Sequence, residues 1–313
     1  MSTLSKKLFI SVLTLILTVG AFTATTFAWF TLGNKASVGT FDAKVQSGGG
    51  LEVSYGGSGE WFNTITSERM NDYLSNDLAV STLLSAVSSQ DGKAFTSLNA
   101  NGSAQDSTTS GYIEFTLKFR SLDPAKVVWQ TATLGGAAVT FPSDIAFRLQ
   151  NHSATTLNQS ITAYASNAAR ISVTPITRAV TATPVIGNAT VFEKAAGTDN
   201  NIATGALGVL QADGAHDYYA RKGNPLLGFS HTNQGTGSPL PIDFNGVVVA
   251  PTLSTLPLTE LMTLVKTEAQ NPTDDYHYGE FVVRIWLEGW DADTYNAIFD
   301  APLTVALSFI KID

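Results

Sequence analysis

Three stretches of the chain alternate apolar and polar residues with a period of two, and they constrain the fold more than any other feature. They are residues 112–119, 281–288 and 303–309. Because successive side chains of a strand point to opposite faces, this period predicts strands with one face in a core. The second face of 281–288 also carries Val282 and Trp286. That strand is therefore predicted to lie in the middle of a sheet.

Weaker strand patterns alternate with connections rich in Gly, Ser, Thr and Asn. They cover residues 38–46, 51–55, 127–134, 145–149, 160–165, 170–174, 189–192 and 247–250. About ten strands in one chain predict an all-β fold, a two-sheet sandwich of jelly-roll type. Helical spacing of apolar residues at 68–87 and 258–269 predicts a few helical insertions. Without an internal repeat or a sharp change of composition, residues 29–313 are predicted to form a single elaborated β-sandwich domain.

The first 28 residues have the order of a secretory signal, with two lysines before the apolar run 8–22 and small residues after it. This run of about 15 apolar residues is shorter than the ~20 that a permanent transmembrane helix needs. Thr26 and Ala28 place small side chains where a signal peptidase reads them. Residues 1–28 are thus predicted to be a hydrophobic signal peptide, or a membrane anchor helix if cleavage fails, with the mature chain starting at Trp29. Either outcome predicts a secreted, extracellular protein associated with the cell surface.

Composition excludes several classes of protein. The chain contains no cysteine, so it has no disulfide and no lipoprotein attachment site. It carries 18 basic and 26 acidic residues and no basic cluster after Lys7, which argues against nucleic acid as a partner. The nucleophile elbow, the phosphate-binding loop, the paired-histidine zinc motif and the dinucleotide-binding turn are all absent from the sequence. The chain is therefore predicted not to be an enzyme and to need no organic cofactor.

The most concentrated polar cluster follows the predicted central strand and contains Glu288, Asp291 and Asp293. Three carboxylates at this spacing fit calcium, a hard cation that prefers several oxygen ligands. The alternative is that Asp291 is the N-cap of a short helix over residues 294–299 and Asp293 favours the positive end of that helix. Both interpretations stay open at the level of sequence.

Aromatic residues offer a second kind of binding site. The candidates are four of the five tryptophans and one neighbouring phenylalanine, namely Trp61, Phe62, Trp129, Trp286 and Trp290. They either pack in the core or form a surface on which a carbohydrate or a partner protein stacks.

Two segments carry a family resemblance. Residues 24–31 read Ala-Thr-Thr-Phe-Ala-Trp-Phe-Thr, and residues 283–291 read Val-Arg-Ile-Trp-Leu-Glu-Gly-Trp-Asp. They resemble the TasA and camelysin-like exported proteins of Firmicutes and Mollicutes, whose precursors are linked to a SipW-type signal peptidase. The two segments cover well under a quarter of the chain. Camelysin has been associated with metalloprotease activity, but without a His-Glu-x-x-His motif in this sequence the resemblance is not extended to catalysis.

The resemblance implies a jelly roll that forms extracellular fibres by donor-strand exchange, in which the N-terminal segment of one subunit completes the sheet of the next. Residues 29–46 would be the donated strand, with Trp29, Phe30, Val38, Phe41, Ala43 and Val45 as its interacting residues. An unpaired sheet edge is a physical template for such a strand.

The leading hypothesis is therefore an extracellular structural protein, a homopolymeric subunit of a surface or biofilm-matrix filament. Its other partners would be the signal peptidase, the cell surface or other matrix components, and it would contact the membrane only through the N-terminal helix. One alternative is a cell-surface adhesin or carbohydrate-binding module. A further alternative is the jelly-roll coat protein of a virus that infects such bacteria.

Overall fold

The computed structural model describes residues 36–37, 41–48, 50–56, 58–77, 83–97, 107–149, 155–177, 185–194, 214–223, 259–266, 275–289 and 291–312. Strands dominate this part of the chain and helices are few, so the prediction of an all-β protein is confirmed. Within it, no helix has the length and apolar character needed to cross a bilayer.

The described strands are β1 (Ala36–Ser37), β2 (Phe41–Gly48), β3 (Glu52–Tyr55), β4 (Thr64–Ile65), β5 (Leu83–Leu84), β6 (Ala86–Ser88), β7 (Phe95–Ser97), β8 (Ser107–Thr108), β9 (Ile113–Ser121), β10 (Lys126–Gly135), β11 (Val139–Pro142), β12 (Ser160–Ala163), β13 (Ala169–Thr177), β14 (Val185–Ile186), β15 (Thr190–Glu193), β16 (Glu260–Thr263), β17 (His277–Glu288) and β18 (Leu303–Ile312). The helices are α1 (Ser67–Asp72), α2 (Ala165–Ala168) and α3 (Ala215–Gly223). A π-helical turn, Tyr73–Asp77, continues α1, and a 3-10 helix covers Asn296–Asp300.

Two sheets contain most of these strands. The smaller has five strands in the order β16-β10-β18-β2-β4. The larger has nine strands, and β17 lies in its middle between β13 and β9, with antiparallel pairing on both sides. The buried alternation explains this position, because Phe281, Val283, Ile285 and Leu287 are at most 1% exposed. The opposite parity of β17 is buried as well, as the sequence predicts for a central strand.

Aromatic rings join the two sheets. Phe309 of β18 lies 5.2 Å from Phe119 of β9 and 5.4 Å from Phe281 of β17, measured between ring centroids. Trp129 of β10 stacks on Phe309 at 4.7 Å and meets Phe192 of β15 edge-on at 5.2 Å. Each ring pair of this kind adds about 0.5–1.5 kcal/mol beyond the burial of its area. The two sheets therefore pack face to face around a shared aromatic core.

The two ends of this sheet pair are used below to describe the site. At one end β18 begins at Leu303, which pairs with Phe41. The end of β17 lies nearby, because it pairs with β6, and β1, which pairs with the preceding β5, contacts the 3-10 helix before β18. We call this the Leu303 end. At the other end Ile312 pairs with Lys126, and the short turn between β9 and β10 brings in His277, the start of β17. We call this the Ile312 end.

The strand predictions are largely confirmed, since the three strongest patterns coincide with β9, β17 and β18. The pattern at 145–149 is wrong, because these residues form no strand of their own. The pattern at 247–250 lies outside the described residues.

The two predicted helices are confirmed only in part. The first is helical from Ser67 to Asp77, residues 78–82 lie outside the described residues, and its end is wrong because it forms β5 and β6. The second contains the strand β16 instead. Leu261 and Met262 are consecutive and both buried, so this strand lacks the alternation of buried and exposed residues that would have predicted it. Helix α3 carries too few apolar residues for its periodicity to show in the sequence.

Candidate functional site

The residues predicted to form the donor strand fall into two groups. Phe41, Ala43 and Val45 lie in β2, whereas Trp29, Phe30 and Val38 lie outside the described residues. Strand β2 pairs in parallel with β18 over eight residues. Its other neighbour, β4, pairs with it only at Val45 and Gln46. The last part of the predicted donor segment thus completes the five-stranded sheet of its own chain.

Strand β1 shows where the N-terminal part of the chain joins the fold. Ala36 pairs with Leu84 and Ser37 with Leu83, in the antiparallel sense. Two residues further along, β6 pairs in parallel with the end of β17, Ala86 with Leu287. Strand β1 also contacts the 3-10 helix before β18. The N-terminal segment therefore meets the sheets at the Leu303 end.

The three carboxylates predicted to bind calcium are all buried, and two of them, Glu288 and Asp291, lie beside an arginine. Arg170 of β13 is 1% exposed, and its Nη1 lies 3.6 Å from Oε2 of Glu288. Its Nη2 lies 3.6 Å from Oδ2 of Asp291 and donates a hydrogen bond of 2.7 Å to Oε2 of Glu193 in β15. Asp293 is also buried, and its backbone N–H donates to Oδ1 of Asp291. One buried cation is thus surrounded by a group of buried acids.

The electrostatics of this Arg170 cluster follow from its burial. Burial lowers the pKa of Arg170, but Glu288, Asp291 and Glu193 raise it more, so the guanidinium stays charged. Burial raises the pKa of Asp291 well above its ordinary value; Arg170 opposes this effect and Asp293 adds to it. In the folded chain the pKa of Asp291 is thus raised while Arg170 stays a cation.

Neither sequence interpretation of these acids is shown in the form predicted. The N-cap of the 3-10 helix is Tyr295 and not Asp291, so the capping interpretation is wrong. Asp291 instead closes the turn before that helix by accepting from Asp293. Among the described residues, no group of three or more His, Asp or Glu side chains is close enough to hold a metal ion. Calcium at Glu288, Asp291 and Asp293 stays a prediction.

Sequence reasoning missed Arg170 because its partners come from distant strands. Glu193 is 23 residues away and Glu288 more than a hundred, and only the register of β13 against β15 and β17 brings them together. Arg170 does occupy the polar parity of its strand, together with Ser172 and Thr174. This alternation could have predicted that Arg170 faces the polar side of β17. It could not have predicted that Arg170 is buried.

A groove lies at the Ile312 end of the molecule, between the two sheets. It has a volume of about 330 Å³, and Ile176, Met262, Val265, Tyr278 and Glu280 are among the residues that line it. Val265 is 44% exposed at the rim, next to β16, the terminal strand of the five-stranded sheet. This surface combines an apolar concavity with a sheet edge, and the sequence analysis did not predict it.

The tryptophans within the described residues divide between core and surface. Trp129 and Trp286 are at most 2% exposed, which confirms core packing for these two. Trp61 is partly exposed, and the guanidinium of Arg120 lies 4.5 Å from its ring and 4.2 Å from that of Tyr276. The arginine therefore already occupies one face of Trp61. Trp290 lies outside the described residues.

Comparisons with protein-family models, with curated proteins and with solved structures found no match. The resemblance to TasA and camelysin-like proteins therefore rests on the two sequence segments alone.

Proposed function

We propose that this chain is an extracellular structural protein of jelly-roll type, whose copies assemble through their N-terminal segments into a surface or biofilm-matrix fibre. A SipW-type signal peptidase would remove residues 1–28, so that the mature chain starts at Trp29. The supporting observation is the position of the N-terminal strands. β1 and β2 enter the fold at one end of the sheets, and the apolar groove with its sheet edge lies at the other.

The pairing of β2 limits which part of the predicted donor segment, residues 29–46, could be donated to another copy. Eight residues of β2 pair with β18 in the same chain, and exchanging them would give up all of these pairings within the chain. Residues 29–35 precede β1 and include Trp29, Phe30 and Leu32. We therefore assign residues 29–35 to the contact between copies and β2 to the anchor that holds them.

A cysteine pair tests this division, and the cysteine-free chain makes the result easy to read. Lys44 of β2 pairs with Ala306 of β18, and neighbouring strands lie about 4.8 Å apart, within the range of a disulfide. In filaments of the double variant Lys44→Cys/Ala306→Cys, the disulfide should form within one chain and leave monomers on a non-reducing gel. A ladder of linked chains would show instead that residues 41–46 are exchanged, as the sequence resemblance implies.

A further inference from the structure

The groove at the Ile312 end forms where two strands separate along the same side of β17. Strand β13 pairs with β17 as far as Ile176, which lies opposite Glu280. Closer to the start of β17, Tyr278 exchanges two backbone hydrogen bonds of 2.9 Å with Val265, the second residue after β16. Strand β13 and the end of β16 therefore enclose a wedge beside β17, with a volume of about 330 Å³.

A glycine of β17 holds one wall of this groove in place. Gly279 lies between Tyr278 and Glu280, and a Cβ there would lie 2.9 Å from both Cδ2 of Leu264 and Sδ of Met262. Because glycine has no Cβ, these two side chains pack directly against the backbone of β17. The wall formed by β16 is therefore held tightly against the central strand.

The lining of the groove contains one charged side chain, the carboxylate of Glu280. This residue is only 1% exposed. The other lining residues are neutral, and they include Ile176, Met262 and Val265. A carboxylate beside apolar side chains has little access to water, so a cation with an apolar body fits it better than a fully hydrated ion does.

Two lysines lie close to the groove in the fold, but neither lines it. Lys118 is opposite Glu280 in the strand register, on β9, and β9 pairs with the side of β17 that faces away from β13. Lys266 follows Val265 at the rim and pairs with Asp275 at 3.4 Å. The groove therefore presents a negative charge, which is complementary to a cationic ligand.

We propose that this groove binds a small organic cation, a primary ammonium group on a short alkyl chain. The carboxylate of Glu280 pairs with the ammonium, and the alkyl chain lies against Met262 and Val265. An ammonium has three donors, and the hydroxyls of Thr177 and Thr263, which line the same groove, can accept from the other two. The volume is at the lower end of the range for small-molecule clefts. The inference does not depend on the proposed function, because one copy of the chain forms the whole groove.

The methionines give a direct readout of occupancy. The chain has three, at positions 1, 70 and 262. Met70 is fully buried in the core and does not line the groove, whereas Met262 does. With isotope-labelled methionine methyl groups in the processed protein, hexylammonium should shift the NMR signal of Met262 and leave that of Met70 in place. The measurement is made in solution for monomers and in the solid state for filaments, so it does not depend on assembly.

The affinity of such a small ligand should be in the millimolar range, with a Kd of about 1–10 mM. Met262→Leu identifies the signal, because it removes one of the two methyl groups. A Met262 signal that stays unchanged up to about 50 mM hexylammonium would overturn the proposal.

Hexanol has the same chain length without the charge, and it separates the contribution of Glu280 from that of the apolar wall. Hexylammonium should bind the wild type at least about tenfold more tightly than hexanol. Glu280→Gln keeps the size of the side chain and should remove this preference. The matched control is Glu260→Gln, at a half-exposed carboxylate of β16 that does not line the groove, and it should keep the preference.

Two results would overturn the assignment of the charge. One is equal affinity of the wild type for hexylammonium and hexanol, which needs no variant and so remains decisive if Glu280→Gln does not fold. The other is a preference for hexylammonium that survives in Glu280→Gln while the Met70 signal shows an intact core.

Discussion

Arg170 and Glu288 are both buried, and Nη1 of the arginine lies 3.6 Å from Oε2 of the glutamate. The pairing of β13 with β17 creates this contact, so the charged pair lies at the end of the central strand β17. Trp286 donates a hydrogen bond of 3.1 Å from its indole nitrogen to the same oxygen of Glu288. The cluster therefore joins β13, β15, β17 and the turn that leads toward β18.

Replacing the arginine should destabilise the fold strongly. Arg170→Met keeps most of the side-chain length but leaves Glu193, Glu288 and Asp291 without their shared cation. Removing one partner of a buried ion pair costs about 3–5 kcal/mol, which urea unfolding would measure. Lys126→Met serves as the control, because its pair with Glu260 is about half exposed and contributes little. Equal unfolding midpoints for Arg170→Met and the control would contradict the role of the cluster.

The contribution of Asp291 to the stability of the protein should rise in mild acid. Burial raises the pKa of this carboxyl above its unfolded value of about 3.9, so the folded chain binds the proton more tightly than the unfolded chain does. This contribution is gained as the pH falls through the raised pKa and is complete below the unfolded value. Between neutral pH and about pH 4.5, the Tm of the wild type should therefore rise relative to the Tm of Asp291→Asn. An unchanged slope in the variant would mean that another group binds the proton.

Adding calcium tests whether the acidic cluster pairs with Arg170 alone or also binds a calcium ion. With Arg170 already supplying a positive charge, we expect no change in Tm when calcium is added to about 1 mM, a concentration typical for extracellular calcium modules. A rise in the wild type that is lost in Asp293→Asn would instead confirm the calcium site predicted from the sequence.

Two glycines separate the cost of backbone conformation from the cost of a clash. Gly136 has φ of +152°, and a Cβ there would lie 2.0 Å from the carbonyl oxygen of Pro302. Gly59 has φ of +72° and no heavy atom within 4 Å of the same position. Gly59→Ala should cost about 1–2 kcal/mol for the left-handed backbone alone. Gly136→Ala should cost clearly more in the same denaturation experiment, and equal costs would show that the loop moves freely away from Pro302.

The fold was readable from the sequence where the signal was local. The alternation in β9, β17 and β18 predicts those strands because a period of two depends only on neighbouring residues. Leu84 and Val87 were misread as part of a helix, since their strands depend on pairing with β1 and β17, which are remote in sequence.

The candidate site was less predictable for the same reason. The acids Glu288, Asp291 and Asp293 were found because they are close in sequence, but Arg170 and Glu193 arrive through strand register. The groove likewise forms from β13, β16 and β17, three strands that are distant in the chain.

The most direct measurement is negative-stain electron microscopy of the processed protein, with its N-terminus determined by mass spectrometry on the same sample. It should be compared with a variant in which residues 29–35 are replaced by a Gly/Ser sequence of equal length, which leaves β1 and β2 in place. We expect filaments from chains that start at Trp29 and folded, dispersed monomers from the variant. Filaments of equal length from both proteins, or dispersed monomers from both, would contradict the proposed function.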